Sequence, residues 1–148
     1  MLPLIIICAL GGFSLATFIY FKKKQPKPLI CPIGHSCDPV VRSSYSHFMG
    51  IPVEVSGILY YLLIVLSYSA LAMYPAMKTG WVELALVGFS GAAFLFSVYL
   101  TSVQAFILKE WCTWCLMSAL LCMIIFFSTL QLSGVGVLGV LGELGIRN

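Results

Sequence analysis

Four long apolar runs constrain this chain before any motif is considered. They occupy residues 1–21, 57–77, 81–108 and 111–132, and a helix needs about 20 residues to cross the hydrocarbon core of a bilayer. The runs are continuous rather than alternating, which excludes the strands of a membrane barrel. With 61% hydrophobic residues, 9% charged residues and a mean hydropathy of +1.05, the chain does not have the composition of a water-soluble domain. The expectation is an all-α integral membrane protein, a four-transmembrane-helix bundle that passes several times through the cell membrane and is solvated by its lipid. The net charge of +3 is small, and the basic residues do not form the broad patch that nucleic acid requires, so no nucleic-acid partner is expected.

The run ends carry physical punctuation. The first stops at Lys22, Lys23 and Lys24, followed by Pro26 and Pro28; Pro75, Lys78 and Gly80 split the second from the third; Lys109 and Glu110 split the third from the fourth. Trp81, Trp111 and Trp114 fall at these ends, where an amphipathic indole suits the membrane interface. The first run has no basic residue before it and no small-residue cleavage site after it, so it reads as a retained helix rather than a signal peptide. Beyond Leu132 the segment SGVGVLGVLGELGIRN holds too many glycines for a fifth span. Residues 1–132 therefore read as the bundle and 133–148 as a Gly-rich tail, frayed or loosely docked.

Within this frame six cysteines need an account. Cys8 and Cys122 lie inside spans and read as packing residues, with no partner evident for Cys122. Cys31 and Cys37 lie in the polar loop 22–56, and Cys112 and Cys115 open the fourth span as CTWC. Two spans separate the loop from the turn at Lys109, so loop and CTWC emerge on the same face of the membrane. Asp38 followed by Pro39 is a helix start, which predicts a short helix from Pro39 towards Met49 with Cys37 just before it. Cys112 falls in the first turn of the fourth span, and helix N-termini favour the thiolate, the attacking species in disulfide exchange. Cys115 is three positions on, on the same helix face, where an apolar electron acceptor could reach it from the lipid.

These residues leave alternatives open. Cys31, His35, Cys37, Cys112 and Cys115 include zinc-ligand types, although the spacing of the loop pair departs from the usual structural-zinc pattern and no metal is expected. Structural disulfides would staple the loop instead. His35 and His47 read as solvent-facing, and Tyr60 and Tyr61 as packing or interface residues.

Taken together, the loop cysteine pair after the first span, the S-S-x-x-x-F-x-G-I-P stretch from Ser43 to Pro52, the G-x-x-Y-Y from Gly57 to Tyr61 and the CTWC of the fourth span resemble the vitamin K epoxide reductase family in its bacterial form. The resemblance implies a four-helix bundle around a quinone, with the cysteine loop and a short helix capping one end. It implies that Cys31 and Cys37 are a shuttle pair, that Cys112 exchanges with Cys37, and that Cys115 faces the quinone. Ser43 matches a loop serine that positions the cap or polarises the substrate, Tyr60 an aromatic wall position, and Val41 and Tyr45 cap positions. Some relatives place a hydrogen-bonding Asn and Tyr where this chain has Val53 and Ala119, which argues against vitamin K epoxide and for a respiratory quinone, ubiquinone or menaquinone.

The implied activity is that of a quinone-dependent, disulfide-forming oxidoreductase. A thioredoxin-fold partner gives two electrons to the loop pair, the loop pair gives them to CTWC, and CTWC gives them to the quinone. A partner near about −120 mV stays oxidised only if the final acceptor is more oxidising still. Relatives often carry a fused thioredoxin-like domain; the sequence ends at Asn148, so the partner is expected in trans. A non-enzymatic membrane protein with structural disulfides or a metal site is the alternative. Orientation is contested: Lys22, Lys23, Lys24, Lys27, Arg42 and Lys109 lie on the cysteine face and only Lys78 and Arg147 opposite, which by the positive-inside rule puts the cysteines in the cytoplasm. Cytosolic disulfides are rare, and the expectation is a periplasmic or extracellular active-site face.

Overall fold

A computed structural model describes residues 1–26 and 38–134. Four membrane-length helices dominate it: α1 (Leu2–Lys24), α3 (Val53–Met73), α4 (Gly80–Ser102) and α5 (Thr113–Leu132), with the four-residue α2 (Asp38–Val41) between the first two. All four are apolar enough to span a bilayer. They are apolar on every side, as helices are when both neighbouring helices and lipid surround them. Ile7, Leu10, Leu66 and Phe106 project outwards, while Ile5, Ala9, Ile64 and Ile125 are fully buried.

The centre of the bundle is α1, which packs on both α3 and α5, and α4 packs on α5. Close approach comes from small residues: Ala9, Gly12 and Ala16 recur on one buried face of α1. A methyl group at Gly12 would run into the Tyr61 ring, so glycine there lets α3 seat its largest side chain against the α1 backbone. Polar contacts then tie α3 to α5 inside the apolar core. The Tyr61 hydroxyl donates to the Ser118 carbonyl at 3.0 Å, and the Tyr68 hydroxyl donates to Thr129 Oγ1 at 2.9 Å. Such bonds hold membrane helices together where no hydrophobic force between helices exists.

The span boundaries differ most from the sequence expectation at the second span. The second span starts at Val53, not Gly57, and ends at Met73. The earlier start brings Glu54 into the first helical turn, where its charge is paired with Lys23. The loop helix is also shorter than expected. It stops at Val41 and is followed by a 3-10 turn (Ser44–Ser46) and a hairpin of β1 (His47–Phe48) with β2 (Ile51–Pro52). The reason is local: Ser43 Oγ donates back to the Val40 carbonyl at 2.8 Å, competing for the backbone that would extend the helix. Met49 and Gly50 both have positive φ, the conformation that a two-residue hairpin turn needs.

Past Ser102, α4 loosens into a π-helical stretch, Val103–Leu108, and ends at Lys109 in the left-handed region. The α2 segment lies on this stretch. Residues 135–148, which hold all but the first two positions of the Gly-rich tail, fall outside the described residues.

Candidate active site

Cys112 is the N-cap of α5, and its carbonyl accepts the first helical bond, from Leu116 N at 3.0 Å. It is fully buried, enclosed by Leu15 and Ile19 of α1, Leu108, and Val40 and Val41 of α2. The cap and the CTWC mouth therefore meet at one end of the bundle. Cys112 and Cys115 are both thiols, hydrogen-bonded to each other. That bond from Cys115 holds the Cys112 thiol below its ordinary range, and the backbone N–H groups of Cys115 and Trp114 act in the same direction against the cost of burial. A sulfur at a helix N-terminus is expected to behave this way.

Cys115 faces a different environment. It lines an apolar cavity of about 490 Å3 walled by all four membrane helices beneath the cap, a size that accommodates a ring-sized ligand. Leu63 of α3, and Phe89, Phe96 and Leu100 of α4, provide much of the wall, with Val53 and Ala119 adding further apolar surface. Tyr60 sits in that wall with its ring 5.4 Å from Phe89 and 5.1 Å from Tyr61. Val41, Ser43 and Tyr45 line the cavity from the cap side. Five of the residues singled out from sequence, Val41, Ser43, Tyr45, Tyr60 and Cys115, thus share one cavity, with Cys112 bonded to the last of them. Cys31, His35 and Cys37 lie outside the described residues.

One sequence reading changes. Cys122 does have a partner: its sulfur lies 3.2 Å from the Tyr61 hydroxyl, in the same cluster as Ser118. Tyr60 and Tyr61 are core residues, 7% and 1% exposed, the packing alternative of the sequence reading. Sequence reasoning also passed over Gln104. Its side chain reaches Cys115, and it lines the cavity at 4% exposure. The signal was available, because Gln104 is the only amide side chain in the run 81–108, and a polar group at membrane depth is a functional marker.

The profile of the vitamin K epoxide reductase family matches residues 3–130. The chain belongs to the vitamin K epoxide reductase family. Membership of this family and four apolar helices make it a multi-pass membrane protein and an oxidoreductase. The family as a whole links thiol–disulfide chemistry to quinones and works with thioredoxin-like proteins. The vicinal thiols beside an apolar cavity are the feature of this chain that such chemistry needs.

Proposed function

We propose that this protein generates disulfides, taking two electrons from the dithiol of a thioredoxin-fold protein and passing them to ubiquinone or menaquinone. The observation that carries this reading is the division of labour within CTWC. Cys115 lines the apolar cavity, whereas Cys112, hydrogen-bonded to it, lies against the cap that follows Cys37 in sequence.

A partner thiolate attacks the Cys31–Cys37 disulfide, the partner leaves as its own disulfide, and both loop cysteines are reduced. Cys37 then attacks Cys112 of an oxidised CTWC pair, and Cys115 departs as a thiolate. Cys31 attacks Cys37, restoring the loop disulfide and releasing Cys112. A thiol held below its ordinary range is a good leaving group, which suits Cys112 to this step. Finally Cys112 and Cys115 close into a disulfide as two electrons and two protons pass to the quinone, giving quinol. Val41 and Tyr45 roof the ring, Tyr60 walls it, and Ser43 holds the cap turn through its bond to Val40. The active-site face lies on the oxidising side of the membrane, periplasmic or extracellular.

The test is direct. Protein in lipid nanodiscs, supplied with a reduced thioredoxin-fold protein and a soluble quinone, should produce quinol and oxidised partner in equal amounts. Absence of both products would favour structural or metal-binding cysteines.

A further inference from the structure

We propose that Gln104 and Tyr60 are the groups that hydrogen-bond the quinone ring, an inference that rests on the quinone-linked reading above. Three buried side-chain polar atoms have no hydrogen-bond partner among the described residues: Tyr60 Oη, Gln104 Oε1 and Trp114 Nε1. Two of these three residues, Tyr60 and Gln104, line the cavity, and they are 7% and 4% exposed. Buried polar groups are rarely left unpaired, and at membrane depth water is not there to pair them. Two such unpaired groups on one predominantly apolar cavity mark what that cavity is built to take: a flat apolar body with polar atoms on it.

The chemistry narrows this further. A quinone carbonyl only accepts hydrogen bonds, and a quinol hydroxyl also donates. A primary amide carries donors and an acceptor on one rotatable head, and a phenol hydroxyl is both donor and acceptor. The same two side chains can therefore hold the ring before and after it is reduced, without repacking. Gln104 and Cys115 line the same cavity, and Gln104 acts on the Cys115 sulfur, so one side chain borders both the thiol and the space for the ring it reduces. Its backbone lies in the π-helical stretch Val103–Leu108, a distortion that recurs where a helix places a functional group.

The experiment compares two ligands of matching shape, menadione and methylnaphthalene, binding to wild-type protein, Tyr60→Phe, Gln104→Leu and Gln104→Met. Binding is read by quenching of intrinsic fluorescence, and quinol formation with a small dithiol is followed in parallel. Losing one net hydrogen bond should weaken menadione binding about tenfold in each single variant, and about a hundredfold in Tyr60→Phe with Gln104→Leu. Methylnaphthalene, which has no polar atom, should bind all variants as it binds wild type. Menadione binding unchanged in Tyr60→Phe and in both Gln104 variants would overturn the inference, and so would equal weakening of both ligands, which would mean lost packing. If wild-type protein binds menadione but forms no quinol, the quinone-linked reading fails instead.

Discussion

Lys23, in the last turn of α1, places its Nζ 3.2 Å and 3.3 Å from the two carboxylate oxygens of Glu54, in the first turn of α3. The same Nζ donates to Ser46 Oγ at 3.0 Å. One ammonium thus joins two spans to the cap beside the cavity, with side chains only 16% and 8% exposed. A second tie runs from Arg42 Nη2 to the Gln25 carbonyl at 2.9 Å. The cap is held to the bundle by the charged tie at Ser46, and over Cys112 by the apolar contacts of Val40 and Val41.

Breaking that pair on one side should cost more than removing it whole. Lys23→Met and Glu54→Gln should each destabilise the bundle by about 2 kcal/mol, between the values for exposed and fully buried pairs. The double variant should lose less than the sum. Unfolding by sodium dodecyl sulfate titration measures all three; strict additivity would mean the pair contributes nothing as a pair.

Cys112→Ala and Cys115→Ala should each abolish quinone-dependent thiol oxidation while the bundle stays folded by circular dichroism. Neither thiol is cross-linked in the structure, so neither contributes a staple to lose. Substantial activity in either variant would refute the CTWC assignment.

Replacing Cys31 or Cys37 by alanine should block oxidation of a protein partner but spare a small membrane-permeable dithiol, which reaches CTWC without the loop. Equal loss with both reductants would make the loop pair structural.

With Cys31 and Cys115 both changed to alanine, Cys37 and Cys112 should remain as a trapped disulfide, since neither has its resolving cysteine. Disulfide geometry requires their α-carbons within about 7 Å. Cys37 directly precedes α2, and α2 already covers Cys112 through Val40 and Val41. Non-reducing mass spectrometry should find the cross-link; a cross-link only between Cys31 and Cys112, in the reciprocal variant, would reverse the order of transfer.

Cys112 should ionise at lower pH than a free cysteine, whose pKa is about 8.5. The depression comes first from the Cys115 thiol, so Cys115→Ala should move the midpoint upwards. As pH falls through the depressed value the thiolate is protonated and lost; as pH rises it is present earlier than in an ordinary thiol. Thiolate absorbance, taken as the difference from Cys112→Ala, reads the midpoint. A midpoint unmoved by Cys115→Ala would remove the thiol–thiol bond as its cause.

Much of this molecule was legible in the chain. Length and apolarity sufficed for four spans, because a helix in lipid must satisfy its own backbone and needs only enough apolar residues to cross. The third span, expected over 81–108, runs from Gly80 to Leu108. Counting crossings was enough to bring the loop and CTWC to one end, since helices cannot turn back within the hydrocarbon. Local chemistry was less legible. Asp38 and Pro39 marked the start of the cap helix, but its length depended on the Ser43 side chain competing with the next helical bond.

What no sequence pattern contained was which face of each helix looks inwards, because helices apolar all round carry no stripe to read. Packing decided it: Gly12 admits the Tyr61 ring, α3 is thereby drawn onto α1, and Tyr60, one residue earlier, is turned into the cavity wall. Packing likewise turned Gln104 towards Cys115 and paired Glu54 with Lys23 across the rim. The sequence by itself determined the spans, their order and the end at which the cap and CTWC meet, since each follows from hydropathy along one dimension. The cavity and its polar groups were decided only by tertiary structure, because they arise from side chains distant in the chain meeting in space.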